Sequence, residues 1–304
     1  MRKHFLKSLL TGCVLLHAPY VTAEELTFGV IAQPMKDTVG EAVLRDTIAE
    51  TDMDNLAFVV IEGIKAASDP CSDTFYNNRK ALLNSAKNGL IVSLSASDWT
   101  ECRTSHDRSA AIGRLTRLRE LFFIDEFSLG ATKIPLLRQS TTARFRSYGE
   151  NARWEIGRTM FATINLPADN NHFRPEAGRN NEFDDRLIAN RYWLHRLVVH
   201  ARSKKMNGIV LFSDGNPFAK HGQEEGIRDG FAEMRKQITT LASRFPGRVL
   251  IVHGHSTSDI ATPNAIAWRG NLGILEASAP WIKLSVSASQ PTLFAVVETT
   301  GTKN

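Results

Sequence analysis

The sequence predicts an α/β fold in which hydrophobic strands alternate with amphipathic helices. Short apolar runs recur along most of the 304-residue chain, and segments whose apolar residues follow helical spacing separate them. This alternation predicts a largely parallel sheet with helices outside it. Short alternating runs in residues 268–298, together with a strand that begins at Thr159, predict a second sheet packed on the first.

The predicted elements follow one another without a linker, repeat or low-complexity tract, so residues 24–304 are expected to form a single domain. Asp73 is expected to be the N-cap of the second helix, and residues 125–158 are expected to be an irregular surface loop with room for one strand. The predicted strands are 26–32, 56–61, 90–94, 159–166, 208–212, 248–252, 281–286 and 293–297, and the predicted helices are 38–50, 73–87, 105–123, 183–204 and 225–243.

The first 23 residues have the pattern of a secretory signal peptide. A basic start is followed by an apolar run and by small residues that end at Ala23, where cleavage is expected. The apolar run is too short for a stable membrane span. A lipoprotein signal at Cys13 is the competing reading, but the apolar run continues beyond that cysteine. We therefore expect an exported protein, either periplasmic or secreted.

The charge of the mature chain argues against a nucleic-acid partner. The chain has 37 basic and 32 acidic residues, and the signal segment holds 3 of the basic ones, which leaves 37 − 3 = 34 basic residues and a net charge of 34 − 32 = +2. Such a balance gives no strong attraction to polyanions. The locally basic segment 103–119 is interpreted as the solvated face of a helix.

Two cysteines remain after removal of the signal segment, Cys71 and Cys102. In an oxidising compartment such a pair predicts a disulfide. A zinc site is the alternative, although two isolated cysteines lack the paired spacing of zinc ligands.

Several strand-end turns resemble those of the calcineurin-like metallophosphoesterase superfamily, and of its exported members in particular. The corresponding motifs are EGIK at residues 62–65, PCSD at 70–73, SASDWTEC at 95–102, ENARW at 150–154 and VHGHST at 252–257. The resemblance extends over nearly all of residues 26–299. It implies two packed mixed β-sheets flanked by helices, an α/β/β/α sandwich, and a site at which two divalent metals hydrolyse phosphoesters.

Carried over position by position, the family's metal ligands fall mostly on residues that bind hard metal ions poorly. A glycine stands where the resemblance implies the carboxylate that bridges both metals. Two divalent ions about 4 Å apart repel by roughly 17 kcal/mol at an effective dielectric near 20, so this loss matters. The positions are Gln33, Met35, Gly63, Ser97, Asp214, His253, His255 and Thr257.

We therefore expect a metallophosphoesterase-like protein that has lost the binuclear site, binds no cofactor, and keeps a binding or interaction role. A small phosphorylated ligand or a protein is the expected partner. The alternative is a metal-dependent phosphoric ester hydrolase with one weakly bound divalent ion, for which Gln33, Asp214, His253 and His255 are the candidate residues.

Two other interpretations concern the same residues. The segment 254–258 (GHSTS) follows a strand, as the nucleophile elbow of α/β hydrolases does. That fold requires a catalytic histidine after the serine, and none follows His255 in the sequence. His253 is interpreted as a hydrogen-bonded core histidine, and Asp98 as an anchor of the disulfide loop.

Overall fold

The first of two mixed β-sheets has parallel strands at one side and antiparallel strands at the other. A computed structural model of the protein describes residues 25–32, 40–175, 180–219, 228–254, 265–277 and 280–297. The first sheet has five strands, in the spatial order β12 (Phe294–Val297), β11 (Ile282–Val286), β1 (Leu26–Ile31), β2 (Val59–Glu62) and β3 (Leu90–Ser93). The strands β1, β2 and β3 are parallel, and β11 pairs antiparallel with both β1 and β12.

The second sheet has seven strands and contains a central parallel group made of β6, β7, β8 and β10. Antiparallel strands flank this group on both sides. The spatial order is β4 (Leu137–Arg138), β5 (Ala152–Ile156), β6 (Thr159–Thr163), β7 (Gly208–Ser213), β8 (Arg248–His253), β10 (Leu272–Glu276) and β9 (Ala267–Arg269).

Helices cover the outer face of each sheet. The helical segments are α1 (Glu41–Asp52), α2 (Asp73–Asn84), α3 (Ala111–Phe122), the single turn α4 (Ala168–Asn171), α5 (Asn181–Ser203) and α6 (Ala232–Arg244). One apolar cluster joins β1–β3 to α1, α2 and α3, and a second joins β6–β8 to α5 and α6. Within the described ranges, no helix is both long and apolar enough to cross a membrane.

The two sheets pack face to face through a third apolar cluster, which is rich in aromatic rings. Phe28 and Phe58 from the first sheet meet Phe161 from the second, with ring centroids 5.3 and 4.8 Å away from it. Val59 and Ile61 follow Phe58 in the chain but belong to the first apolar cluster, which packs against α1, α2 and α3. Because successive side chains of a strand point to opposite faces, both faces of β2 are buried, which explains its continuous apolar sequence.

Two sequence predictions about strands need correction. The C-terminal strands β11 and β12 extend the first sheet beside β1 and do not belong to the second sheet. The segment 125–158 contributes both β4 and β5 to the second sheet, whereas a loop with room for one strand was expected. Each of these strand pairs lies at one edge of a sheet, and which sheet edge a strand joins depends on the tertiary arrangement.

Helix starts also differ from the prediction, at α2, at α3 and at α6, which begins at Ala232 where 225 was expected. Ser72, not Asp73, is the N-cap of α2, and its hydroxyl accepts a hydrogen bond from the Phe75 N–H at 3.2 Å. The third helix begins at Ala111, although its pattern predicted a start at 105, because the Thr104 hydroxyl accepts the Arg108 N–H at 3.2 Å and holds a turn there. Such side-chain bonds to the backbone compete with helix formation.

Candidate functional site

The carboxyl ends of the parallel strands bring three buried carboxyl groups together, and we call these residues the strand-end cluster: Glu62, Asp98 and Asp214. Glu62 ends β2 of the first sheet, and Asp214 follows β7 of the second. The Ala96 N–H donates to Asp214 Oδ2 at 2.7 Å, so the loop after β3 is joined directly to the end of β7. The two sheets therefore converge at this edge, as the strand order in the sequence predicted.

Asp214 uses one carboxylate oxygen to hold two chain segments. Its Oδ2 accepts the N–H of Ala96 and that of Ala168, both at 2.7 Å. Burial raises the pKa of Asp214 to about 7, against the lowering effect of these two hydrogen bonds. At neutral pH the group is therefore divided between its protonated and ionised forms.

Asp98 has a similar structural role on the first sheet. Its Oδ1 accepts the N–H of Ile64 at 2.8 Å and of Lys65 at 3.2 Å, and its Oδ2 accepts the Ser95 N–H at 2.8 Å. Burial raises the pKa of Asp98 to about 6, against the opposing effect of these bonds. The carboxylate anchors the turn after β2 to the loop after β3.

Lys65 places a cation beside this carboxylate. Its side chain is buried, and Nζ donates to the carbonyl oxygens of Ala66 at 2.6 Å and Ser97 at 2.9 Å. Burial lowers the pKa of Lys65, and the charge of Asp98 opposes that effect. The charge of Lys65 in turn lowers the pKa of Asp98 and partly offsets the effect of its burial.

Glu62 directly precedes Gly63, and its carboxyl group is buried at the strand-end edge. It is only 1% exposed, and neither carboxyl oxygen has a hydrogen-bond partner among the described residues. Burial, together with the charge of Asp214, raises the pKa of Glu62 well above its usual range. A Cβ on Gly254 would collide with this carboxyl group, which places the ends of β2 and β8 in contact.

The remaining predicted metal positions divide into two groups. Gly63 has φ 86°, a left-handed conformation, and offers no side-chain ligand. The Ser97 hydroxyl donates to the Lys65 carbonyl at 2.9 Å, and His253 is fully buried at the end of β8. The positions Gln33, Met35, His255 and Thr257, like the predicted signal segment 1–23 and Cys13, lie outside the described residues.

Two carboxylates of the strand-end cluster already bond to the main chain. Asp98 and Asp214 accept five main-chain N–H bonds between them, three and two respectively. In the part of the chain that the structure describes, no group of three or more His, Cys, Asp or Glu side chains could hold a metal ion.

A cavity of about 940 Å3 opens beside the strand-end cluster, and we call it the lateral cavity. Thr100 lies in its wall and donates its hydroxyl to the Ala96 carbonyl at 2.9 Å, which connects the wall to the loop that contains Asp98. The wall also contains Arg119, Tyr148, His172, Glu182 and Phe183.

The His172 ring in this cavity is held on two sides. Its Nδ1 lies 3.1 Å from Glu182 Oε2, and its ring packs edge-to-face on Trp99 with centroids 4.6 Å apart. Burial raises the pKa of Glu182, but Arg186 and His172 outweigh that effect and hold the pKa at about 2. Because an ionised carboxylate can only accept, the Nδ1–H of His172 donates to Glu182, and this bond fixes the orientation of the ring.

A run of left-handed residues shapes the loop that carries His172. Asp169, Asn170, Asn171 and His172 have φ angles of 56, 56, 55 and 52°. Asparagine and aspartate tolerate this conformation better than most residues, which explains the tandem asparagines. Fully buried Arg186 secures the turn by donating to Asn171 Oδ1 at 2.5 Å and to the Asn171 carbonyl at 2.9 Å.

The disulfide prediction is confirmed. Cys71 and Cys102 are bonded, with their Cα atoms 5.8 Å apart, and Cys102 lines the lateral cavity. The bond ties the loop before α2 to the loop that contributes Thr100.

The comparisons with known proteins add no family to these observations. No protein-family model matches the chain, and no curated protein matches it.

Proposed function

We propose that the chain is an exported protein with a metallophosphoesterase-like architecture whose strand-end site has become structural, and that it acts by binding a ligand or partner. The use of the strand-end carboxylates supports this proposal. Asp98 and Asp214 direct their oxygens at main-chain N–H groups of three different loops, those after β2, β3 and β6.

The binding role is assigned to the same edge of the molecule, where ligands of α/β sheets are usually bound. The lateral cavity provides the space, and the rigid elements α3 and α5 contribute to its wall. The Cys71–Cys102 disulfide and the expected signal peptide agree with a location outside the cytoplasm.

Metal analysis combined with turnover assays tests this proposal. The mature chain, residues 24–304, is purified after export from cells supplied with Mn, Fe or Zn, and its metal content is measured by mass spectrometry. Hydrolysis of p-nitrophenyl phosphate and of bis(p-nitrophenyl) phosphate is then measured with each metal added. We expect substoichiometric metal and no turnover above that of a blank.

A pair of histidine variants makes the result decisive. His255→Ala removes a candidate ligand, and His195→Ala removes an exposed histidine of α5 as the matched control. Stoichiometric metal with turnover that His255→Ala abolishes and His195→Ala preserves would establish the alternative, a metal-dependent phosphoesterase. One ion per chain would indicate a mononuclear site, and two ions would contradict the loss of the binuclear centre.

A further inference from the structure

We propose that the lateral cavity binds a neutral oligosaccharide. This inference rests on the binding role proposed above and gives that role a site and a ligand class. It depends on three features of the cavity: its size, the compensation of its charges within the protein, and the kind of hydrogen-bonding groups in its wall.

The size of the cavity suits a ligand of several rings. Its volume of about 940 Å3 is near the upper end of the range of about 300–1,000 Å3 that is usual for small-molecule sites. The cavity is open to solvent on one side, since exposed residues such as Arg103 and Ile112 belong to its wall. A chain of sugar units can therefore enter along the opening.

The charged side chains of the wall cancel one another. Among the described lining residues, apart from His172, three arginines and three carboxylates have formal charges that sum to zero. These residues are Arg103, Arg119, Arg174, Glu101, Glu182 and Asp185.

Two of these charged side chains, Arg119 and Glu182, form ion pairs with buried residues of the protein. Arg119 donates Nε and Nη2 to the two carboxylate oxygens of buried Glu150, at 2.9 and 2.6 Å. Glu182 accepts Nε of buried Arg186 at 2.6 Å. At Arg119 an anionic ligand would therefore meet a guanidinium that is already paired, and at Glu182 an amine would meet a carboxylate that is already paired.

The uncharged groups of the wall match sugar hydroxyls, which both donate and accept hydrogen bonds. The His172 ring lies in the wall and is held there by Glu182 at Nδ1. Burial raises the pKa of Tyr148 to about 12, so its hydroxyl remains protonated at neutral pH. Further hydroxyl and amide groups in the wall come from Ser109, Ser147 and Asn181.

An aromatic surface accompanies these polar groups. The Arg119 guanidinium lies over the Tyr148 ring at 4.8 Å from the centroid, which fixes the ring against the paired arginine. Ile112 adds an exposed apolar side chain, 53% accessible, at the same wall. The apolar C–H faces of sugar rings can pack on such surfaces while their hydroxyls bond to the polar groups.

Calorimetric titration of the mature, disulfide-bonded chain tests the inference. The probes are the neutral tetrasaccharides cellotetraose, maltotetraose, tetra-N-acetylchitotetraose and xylotetraose, with inorganic phosphate as the anionic probe. We expect at least one tetrasaccharide to bind and phosphate to give no saturable heat. Absence of binding by all four sugars, or saturable phosphate binding that Arg119→Gln abolishes, would overturn the proposal.

Three variants locate the site. Tyr148→Ala removes the aromatic surface, and we expect an affinity loss of about tenfold. His172→Asn removes the imidazole ring but keeps a residue that tolerates the left-handed conformation, so the loop is retained and the affinity is expected to fall. Phe127→Ala, at an exposed aromatic residue outside the wall, is the control and should leave the affinity unchanged.

The outcomes separate this inference from the proposed function. Equal sugar affinity in Tyr148→Ala, His172→Asn and the parent, with folding verified by circular dichroism, would show that the lateral cavity is not the site. Metal content is measured on the same protein samples. Lack of sugar binding in metal-free, inactive protein refutes the ligand class alone, whereas stoichiometric metal with turnover refutes the non-catalytic role.

Discussion

The ionised form of Glu182 should contribute measurably to stability, and Glu182→Gln tests this. Glu182 is 16% exposed and accepts hydrogen bonds from Arg186 Nε at 2.6 Å and Nη2 at 3.2 Å. Burial raises the pKa of Glu182, but the Arg186 and His172 partners dominate and lower it from 4.5 to about 2. A shift of about 2.5 units corresponds to about 3 kcal/mol at 1.36 kcal/mol per unit.

The sign of the pH dependence follows from the direction of this shift. Because the pKa is lower in the folded than in the unfolded chain, the stabilisation is complete above about pH 4.5 and is lost as the pH falls toward 2. Glutamine cannot ionise, so Glu182→Gln should destabilise the protein by about 3 kcal/mol at neutral pH and by only about 2 kcal/mol near pH 3.5.

Urea unfolding of the disulfide-bonded chain at several pH values measures this difference. The control is Glu120→Gln, which removes an exposed glutamate that pairs with Arg117 on the surface. Surface pairs contribute about 0–1 kcal/mol, so the control should change stability little at any pH. A Glu182→Gln penalty that is the same at neutral and acidic pH would refute the reasoning, because the loss would then not depend on ionisation.

Three further predictions concern the strand-end region. Asp98→Ala should destabilise the protein by several kcal/mol in thermal unfolding, because each unsatisfied buried N–H costs about 1–3 kcal/mol. Asp98→Asn keeps an acceptor and should destabilise the protein clearly less. Equal losses of stability in the two variants would contradict the anchoring role. Gly63→Ala should cost at least about 1 kcal/mol in urea unfolding, since φ is 86° there, and an unchanged midpoint would refute the strain. Replacing Cys71 and Cys102 by serine should cost about 3–4 kcal/mol for a loop closed across 31 positions, and reduction of the parent protein should give the same loss.

The sequence predicted most of the central elements, because their apolar patterns are local. Strand β3 was expected at 90–94 and lies at Leu90–Ser93, and β7 was expected at 208–212 and lies at Gly208–Ser213. Buried parallel strands are short apolar runs bounded by polar turns, which the sequence displays directly. The predicted disulfide was equally accessible, because the signal-like start and the cysteine count both appear in the sequence.

The candidate site was predicted in position but not in chemistry. The strand-end residues Gly63, Ser97 and Asp214 were identified from their turns, and the expected convergence of the strand ends is present. Glu62 was underestimated, because its burial against Gly254 depends on the approach of two separate sheets. The lateral cavity was not predicted at all, since its wall combines segments that lie far apart in the sequence.

The sequence by itself determined most of the central strands and helices, because alternation of apolar residues and turn-forming residues acts over a few positions. Tertiary structure alone decided the neighbours of those segments. It placed β11 beside β1, and it directed the main-chain N–H groups of Ala96 and Ala168 onto one oxygen of Asp214. The sequence alone does not distinguish a turn carboxylate that binds a metal ion from one that accepts a main-chain N–H. The two main-chain partners of Asp214 lie 118 and 46 residues away from it in the chain, and only the packing of their loops brings them into contact.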